Sequence, residues 1–354
     1  MKYWLVPLVI LILCLLSILT LSSIAPTLAP KQLIFFMVGF GIFFLISRIP
    51  FRRLLKLSSI FYIVNIALLV TVLILAPITR GTSRWIDVGG LFAIQPSQLA
   101  IPTTSLFLIN LFKNKSLTNI KNLFLFLFYT AIPGLLILIE PDLGTTVVYL
   151  VSVAVIIFLS KTKIRHLVPL IFLGIVGIIF SWNFVFQPYQ KSRITSFISP
   201  TDNQGTSYNA QQSLIAAGSG KLTGKGLGQG IQSHLRFLPE RQTDFVFASF
   251  AEEFGFIGSA LLIFLYFVLV NTTISAAEKA HETTEKYFCY AVAIMTTFQI
   301  GVNIGMNIGI LPITGITLPF ISYGGSSILS LISMFGIIQS IRINQKQKVS
   351  LHLS

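Results

Sequence analysis

A succession of apolar runs, each long enough to cross hydrocarbon, constrains this chain more than any other feature. Trp4 to Ile24 is the first, and similar runs recur along the whole length between short polar stretches. A helix needs about 20 apolar residues to cross a bilayer core. Within lipid it must also satisfy its own backbone N–H and C=O groups. A soluble chain of 354 residues that was 54% hydrophobic and 10% charged could not clothe itself in polar surface. The expected fold is therefore an all-α membrane protein of about ten transmembrane helices. They fall at about 3–24, 32–48, 57–78, 97–112, 120–139, 143–160, 165–187, 245–272, 286–310 and 320–341. One long extracellular loop of about 188–244 separates helices 7 and 8. Residues 1–345 read as a single polytopic membrane domain and 346–354 as a short cytoplasmic tail. The first run exceeds a signal-peptide core and is expected to stay as a helix.

The formal net charge is +14. It is not gathered into a stripe or groove, which argues against nucleic acid as a partner. Short loops holding Arg48 to Lys56, Lys113 to Lys121, Lys161 to Arg165 and Lys279 to Lys286, with the tail from Arg342, carry most of the lysines and arginines. The short loops on the opposite side hold Lys31, Arg80 and Arg84. That bias places both termini in the cytoplasm. Cys14 and Cys289 lie far apart in apolar runs, and the four histidines show no ligand spacing, so neither a disulfide framework nor a metal motif is indicated. The glycine-rich run from Gly218 to Gly230 lacks the spacing and the strand–loop–helix setting of a nucleotide phosphate loop.

Most remaining acidic residues fall at the outward ends of helices, so any chemistry should face outward. In the first outer loop, Trp85 reads as an interfacial anchor or a substrate contact, and Arg84 suits a phosphate or carboxylate. Ser97 follows Pro96 at a helix start and reads as a cap. Asp142 reads as the cap of the next helix or as a functional carboxylate. Asp244 stands where an apolar helix begins and is open to the same two readings. In the functional one, burial and nearby Glu240 raise its pKa toward that of a general base. Glu252 and Glu253 sit inside a span and are expected to pair with a base or line a cavity. Ser322 and Tyr323 read either as helix packing or as substrate contacts.

An ordered set of motifs resembles the SEDS family of RodA, FtsW and SpoVE. The set comprises Arg84-Trp85 with Gln95-Pro-Ser97, Pro141-Asp-Leu-Gly-Thr145, Gln212-Ser-Leu-Ile-Ala216, Gly224-Lys-Gly-Leu-Gly228, Leu238-Pro-Glu240, Thr243-Asp-Phe245, Glu252-Glu-Phe-Gly255, Pro312-x-Thr-Gly315 and Leu318 to Ser327. The Gly-Lys-Gly-Leu-Gly-Gln wording is more similar to RodA than to FtsW. The resemblance implies a peptidoglycan glycosyltransferase of the bacterial cytoplasmic membrane that polymerises lipid II at the outer face. It implies Asp244 as catalytic base, with undecaprenyl pyrophosphate on the growing glycan as leaving group. Arg84, Arg193 and Lys225 are candidates to neutralise that pyrophosphate, with a divalent cation, Mg or Mn, as a further candidate. Trp85, Asp142, Gln212, Glu240, Thr243, Ser322 and Tyr323 complete the expected substrate-binding set. A class B penicillin-binding protein is the implied partner, besides membrane lipids.

The chain departs from the family pattern in three places. Gln98 and Ile101 stand where the family has glutamate and lysine, Gln242 where it commonly has histidine, and Asn209 where it commonly has glutamine. The paired loss of both charges leaves neither unpaired. Two other readings compete: a lipid-linked sugar flippase, and a non-catalytic scaffold of an elongation or division complex. A flippase needs a charged route across the midplane, whereas charge here sits mainly near the outer half.

Overall fold

The computed structural model describes residues 4–75, 84–88, 92–160, 162–199, 205–235 and 237–352. Its spine is helical: α1 (Leu5–Ile24), α2 (Ala29–Arg48), α3 (Phe51–Leu75), α4 (Pro96–Phe112), α5 (Ile120–Ile139), α6 (Leu143–Leu159), α7 (Ile164–Phe184), α11 (Val246–Glu278), α12 (Thr283–Asn307) and α13 (Gly325–His352). Each matches one expected apolar run. Among the described residues, eight helices are at least 18 residues long and apolar enough to cross a membrane, and α6 is apolar at 17 residues. The chain is a multi-pass helical membrane protein.

Many polar side chains within the spans turn inward, among them Ser17, Thr20, Asn65, Asn303 and Asn307, while the exposed faces carry large apolar side chains such as Leu33, Ile63 and Phe264. Of the eight apolar helices of at least 18 residues, α12 and α13 are the most enclosed. α13 packs closely on α2, where Gly39 lies against Ile332 and Gly336 against Phe43. At the opposite extreme, α7 has no buried residue and stands away from the bundle.

Three expectations are corrected. The segment between α3 and α4, expected as a loop, contains a hairpin, β1 (Ile86–Val88) paired antiparallel with β2 (Phe92–Ile94), in register Ile86↔Ile94. The segment 188–244 is not an open loop. It holds α8 (Pro188–Ile198), α9 (Thr206–Ser219) and α10 (Ile231–His234). α9 folds there because Ala216, with Ala210 and Ala217 alongside, packs with Leu238, Phe245, Ala248, Met306 and Ile313. The last span starts at Gly325 rather than near Pro319, because residues 318–324 form turns.

The helix expected over 245–272 also breaks at Gly255 (φ 66°, ψ −163°), a backbone region open to glycine almost alone. The glycine-rich run fills the break. Amide N–H groups of Lys225 and Gly226 donate to the Glu252 and Glu253 carbonyls (3.0 Å each), and Phe256 N–H donates to the Lys221 carbonyl (2.8 Å). The two backbones approach so closely that a Cβ at Gly224 (φ 81°) would run into the Glu253 carbonyl. Gly224→Ala is expected to cost at least about 1–3 kcal/mol, seen as a lower unfolding midpoint in micelles. An unchanged midpoint would show that the run does not carry the broken helix.

Candidate active site

Where α6 and α11 begin, helix termini and connecting segments converge on a polar cavity of about 540 Å³. Its carboxylates are Asp142, Glu240 and Asp244, and its cations are Arg84 and Arg193. Trp85, Thr243, Tyr323, Gln95, Gln98, Thr145 and Tyr189 also line it.

Asp142 acts as both cap and cavity wall. Its Oδ1 accepts the Thr145 N–H at the start of α6 (3.1 Å), and its Oδ2 accepts from Thr145 Oγ1 (2.8 Å) and Gln95 Nε2 (2.6 Å). Gln98 Nε2 donates to the same Thr145 hydroxyl (2.9 Å), so an amide braces Asp142 through Thr145 at the position of the missing glutamate. Ile101 is buried in the apolar core, consistent with loss of the second charge. Arg84 Nε donates to the Glu140 carbonyl (2.9 Å), and its Nη2 donates to the Pro141 carbonyl and to the Tyr189 hydroxyl (3.1 Å). Its Nη1 lies 3.9 Å from Asp142 Oδ1.

Asp244 precedes α11 but does not cap it: Phe245 is the N-cap residue, and it makes no side-chain cap. The Asp244 side chain is 18% exposed and lies 4.0 Å from Arg193 Nη2. Burial raises its pKa above the ordinary carboxylate range, Arg193 opposes that rise, and Glu240 and Asp142 add to it. Glu240 closes the turn before it in a left-handed conformation (φ 50°), with its carbonyl accepting the Thr243 and Phe245 N–H groups. The backbone of Gly315 fills the space beside the pair: a Cβ there would sit 2.9 Å from Arg193 Nη1 and 3.6 Å from Asp244 Oδ2. A half-buried base beside a guanidinium can take a proton from a bound hydroxyl while cationic charge meets a developing anion.

A second, more apolar groove of about 380 Å³ opens beside this cavity and shares Arg84, Asp142, Tyr189, Arg193, Asp244 and Gly315 with it. Val147, Ile178, Phe186, Ile194, Ile313 and Ile316 are among its walls. A ligand with a charged head and a long hydrocarbon tail fits this pair of spaces.

The family model FTSW_RODA_SPOVE, described as "Cell cycle protein", matches residues 2–347. This chain belongs to the FtsW/RodA/SpoVE family. Within that family it is 36% identical over 312 residues to "Peptidoglycan glycosyltransferase MrdB" of Escherichia coli (strain K12), covering 87% of this chain and 84% of the relative. It is 36% identical over 322 residues to "Stage V sporulation protein E" of Bacillus subtilis (strain 168), covering 88% and 86%. The fold superposes on a chain from "Structural coordination of polymerization and crosslinking by a peptidoglycan synthase complex" with TM-score 0.83 at 28% identity, covering 97% and 98%. Rod shape determining protein RodA of Thermus thermophilus gives 0.73 at 26%, covering 97% of both chains.

Of the residues the SEDS resemblance nominates, the cavity collects Arg84, Trp85, Asp142, Arg193, Glu240, Thr243, Asp244 and Tyr323. It does not collect Lys225, Gln212 or Ser322. Lys225 Nζ is 3.1 Å from Glu252 Oε1, where it answers the charge of a carboxylate also held by Ser233 and the Gln232 amide. Glu253 meets Ser23 and His234. Both glutamates thus brace the glycine-rich segment. Gln212 lies half-buried on α9, and Ser322 is buried with its hydroxyl donating to the Thr243 carbonyl (2.7 Å). Ser97 is no cap either: Gln95 is the N-cap residue of α4, and Ser97 is buried. Arg80 lies outside the described residues. Among the described residues, no three His, Cys, Asp or Glu side chains converge as a metal set.

Glu140 is 1% exposed just beyond α5, and among the described residues no group reaches either carboxyl oxygen with good hydrogen-bond geometry. Burial foremost, then the charge of Asp142, pushes its pKa up to about 8. From the ordinary value near 4.5 up to about 8, the folded state keeps a proton that the unfolded chain has released. Stability therefore falls as pH rises through that window and levels off above it. Glu140→Gln is expected to remove this slope, gaining on the order of 1–3 kcal/mol over the parent at about pH 9. Parallel melting curves from about pH 5 to about pH 9 would contradict the assignment.

Proposed function

We propose that this protein is a peptidoglycan glycosyltransferase that polymerises lipid II at the outer face of the bacterial cytoplasmic membrane, with Asp244 as general base. The observation that carries this reading is the placement of Asp244 where a polar cavity holding Arg84 and Arg193 meets an apolar groove. A lipid-linked sugar has that same division. Its pyrophosphate belongs near Arg193 and Arg84, and its polyprenyl tail in the groove beside α7.

In the reaction, Asp244 takes the proton from the acceptor sugar hydroxyl. The freed oxygen pair forms the new bond to the donor's anomeric carbon. The bond from that carbon to the pyrophosphate breaks, and undecaprenyl pyrophosphate leaves with its electron pair. Arg193 and Arg84 stabilise the charge gathering on the departing phosphate. The positive-inside bias supports cytoplasmic termini, which puts the cavity on the outer side. A class B penicillin-binding protein fits as partner, since a polymerised strand then needs crosslinking. The relatives named peptidoglycan glycosyltransferase support the same reading.

Incubating purified protein with lipid II, alone and with a class B penicillin-binding protein, tests it. Glycan polymer is the expected product. Lipid II crossing a liposome bilayer with no polymer would instead identify a flippase, and partner binding with no polymer would identify a scaffold.

A further inference from the structure

The base is held by its backbone from an unexpected direction. α12 carries two asparagines one turn apart, Asn303 and Asn307, both fully buried. Buried amides are expensive in a span unless every polar atom finds a partner. Here both donate to one acceptor: Asn303 Nδ2 reaches the Asp244 carbonyl at 3.1 Å and Asn307 Nδ2 reaches it at 3.0 Å. Two donors on one carbonyl use both of its lone pairs.

Each amide also holds a second segment. Asn303 Nδ2 donates to the Ile316 carbonyl (2.8 Å), next to Gly315. Asn307 Oδ1 accepts the Ala248 N–H (3.1 Å), an amide in the first turn of α11. That helix begins without a side-chain cap of its own, so α12 supplies the cap from across the interface. Ser213 of α9 donates to the carbonyl oxygen (3.0 Å) and side-chain oxygen (3.2 Å) of Asn307. With Oδ1 committed to these two donors, the Nδ2 end must face Asp244.

We propose that Asn303 and Asn307 are positioning residues that set where the Asp244 carboxylate stands against Arg193 and the bound hydroxyl. The inference rests on Asp244 being the base. The two asparagines touch neither the cavity nor the groove and act through the Asp244 backbone and the Gly315–Ile316 wall. A displacement of the order of 1 Å in a reacting group is enough to cost about a hundredfold in rate.

The test uses Asn303→Asp and Asn307→Asp, near-isosteres that turn a donor into an acceptor facing a carbonyl. Polymerisation of lipid II is measured on full-length protein, normalised to the monodisperse fraction. We expect kcat to fall roughly tenfold to a hundredfold, with KM within about threefold, and the double variant to lose less than the product of the two single losses. Asn303→Ser and Asn307→Ser, which keep a short donor, replace any variant that does not fold and are expected to show the same kcat-only loss. In an Asp244→Asn background the asparagine changes are expected to add nothing to the loss. An unchanged kcat in folded protein, or the same further loss in that background, overturns the inference. A fully active Asp244→Asn overturns instead the base on which it rests, so the two failures are distinguishable.

Discussion

Asp244→Asn is expected to bind lipid II with near-parental affinity and to polymerise it roughly 10²–10⁴-fold more slowly, the usual contribution of a general base. Asparagine keeps the shape of the side chain and its place at the mouth of the apolar groove. It cannot take a proton. Because Asp244 caps no helix, the change removes no cap and should leave the unfolding midpoint nearly unmoved. The readouts are a filter or scintillation binding assay and gel-resolved glycan product from the same preparation. Loss of binding and rate together would mean that Asp244 holds substrate rather than activates it.

Arg193→Gln should have the second-largest effect, for two separable reasons. Arg193 lies in both the polar cavity and the apolar groove, where a pyrophosphate joined to a tail must sit. Loss of one charge-stabilising donor commonly costs about 10²–10³-fold in kcat. The same guanidinium also opposes the burial that raises the Asp244 pKa. Its removal leaves burial, Glu240 and Asp142 acting in one direction, so the pH at which activity half-develops moves upward. Arg193→Lys keeps a charge but not a planar fork. It should restore most of the pH position and only part of the rate. A rate loss in Arg193→Gln without any pH displacement would separate the arginine from the base.

Much of this architecture was legible in the residues, because lipid leaves little choice. Apolar runs of spanning length must become helices, and each of the ten runs did. Asp244 was legible as an outward carboxylate at a helix start, but sequence spacing could not separate a cap from a free side chain. Backbone geometry did so by making Phe245 the N-cap residue. Other features left no periodic trace. The strands Ile86–Val88 and Phe92–Ile94 are three residues each, too short for alternation to register. The break at Gly255 lies just after Glu252 and Glu253 in a run whose apolar residues resume on both sides, so a span-length hydropathy average passes over it. Lys225 was drawn toward the pyrophosphate by its charge, whereas its partner was the nearby buried Glu252. The Asn303 and Asn307 pair did leave a signal, two amides four residues apart in an apolar span, whose target only the tertiary structure reveals.

The pH dependence of kcat/KM for lipid II tests the central claim most directly, because it reports the ionisation of the free enzyme's base. We predict a single rising limb with its midpoint above the ordinary carboxylate range. The limb should move to lower pH in Glu240→Gln, where a neighbouring negative charge is gone, and be absent from the residual activity of Asp244→Asn. A limb that persists unchanged in Asp244→Asn would contradict the account, since another group would then be accepting the proton.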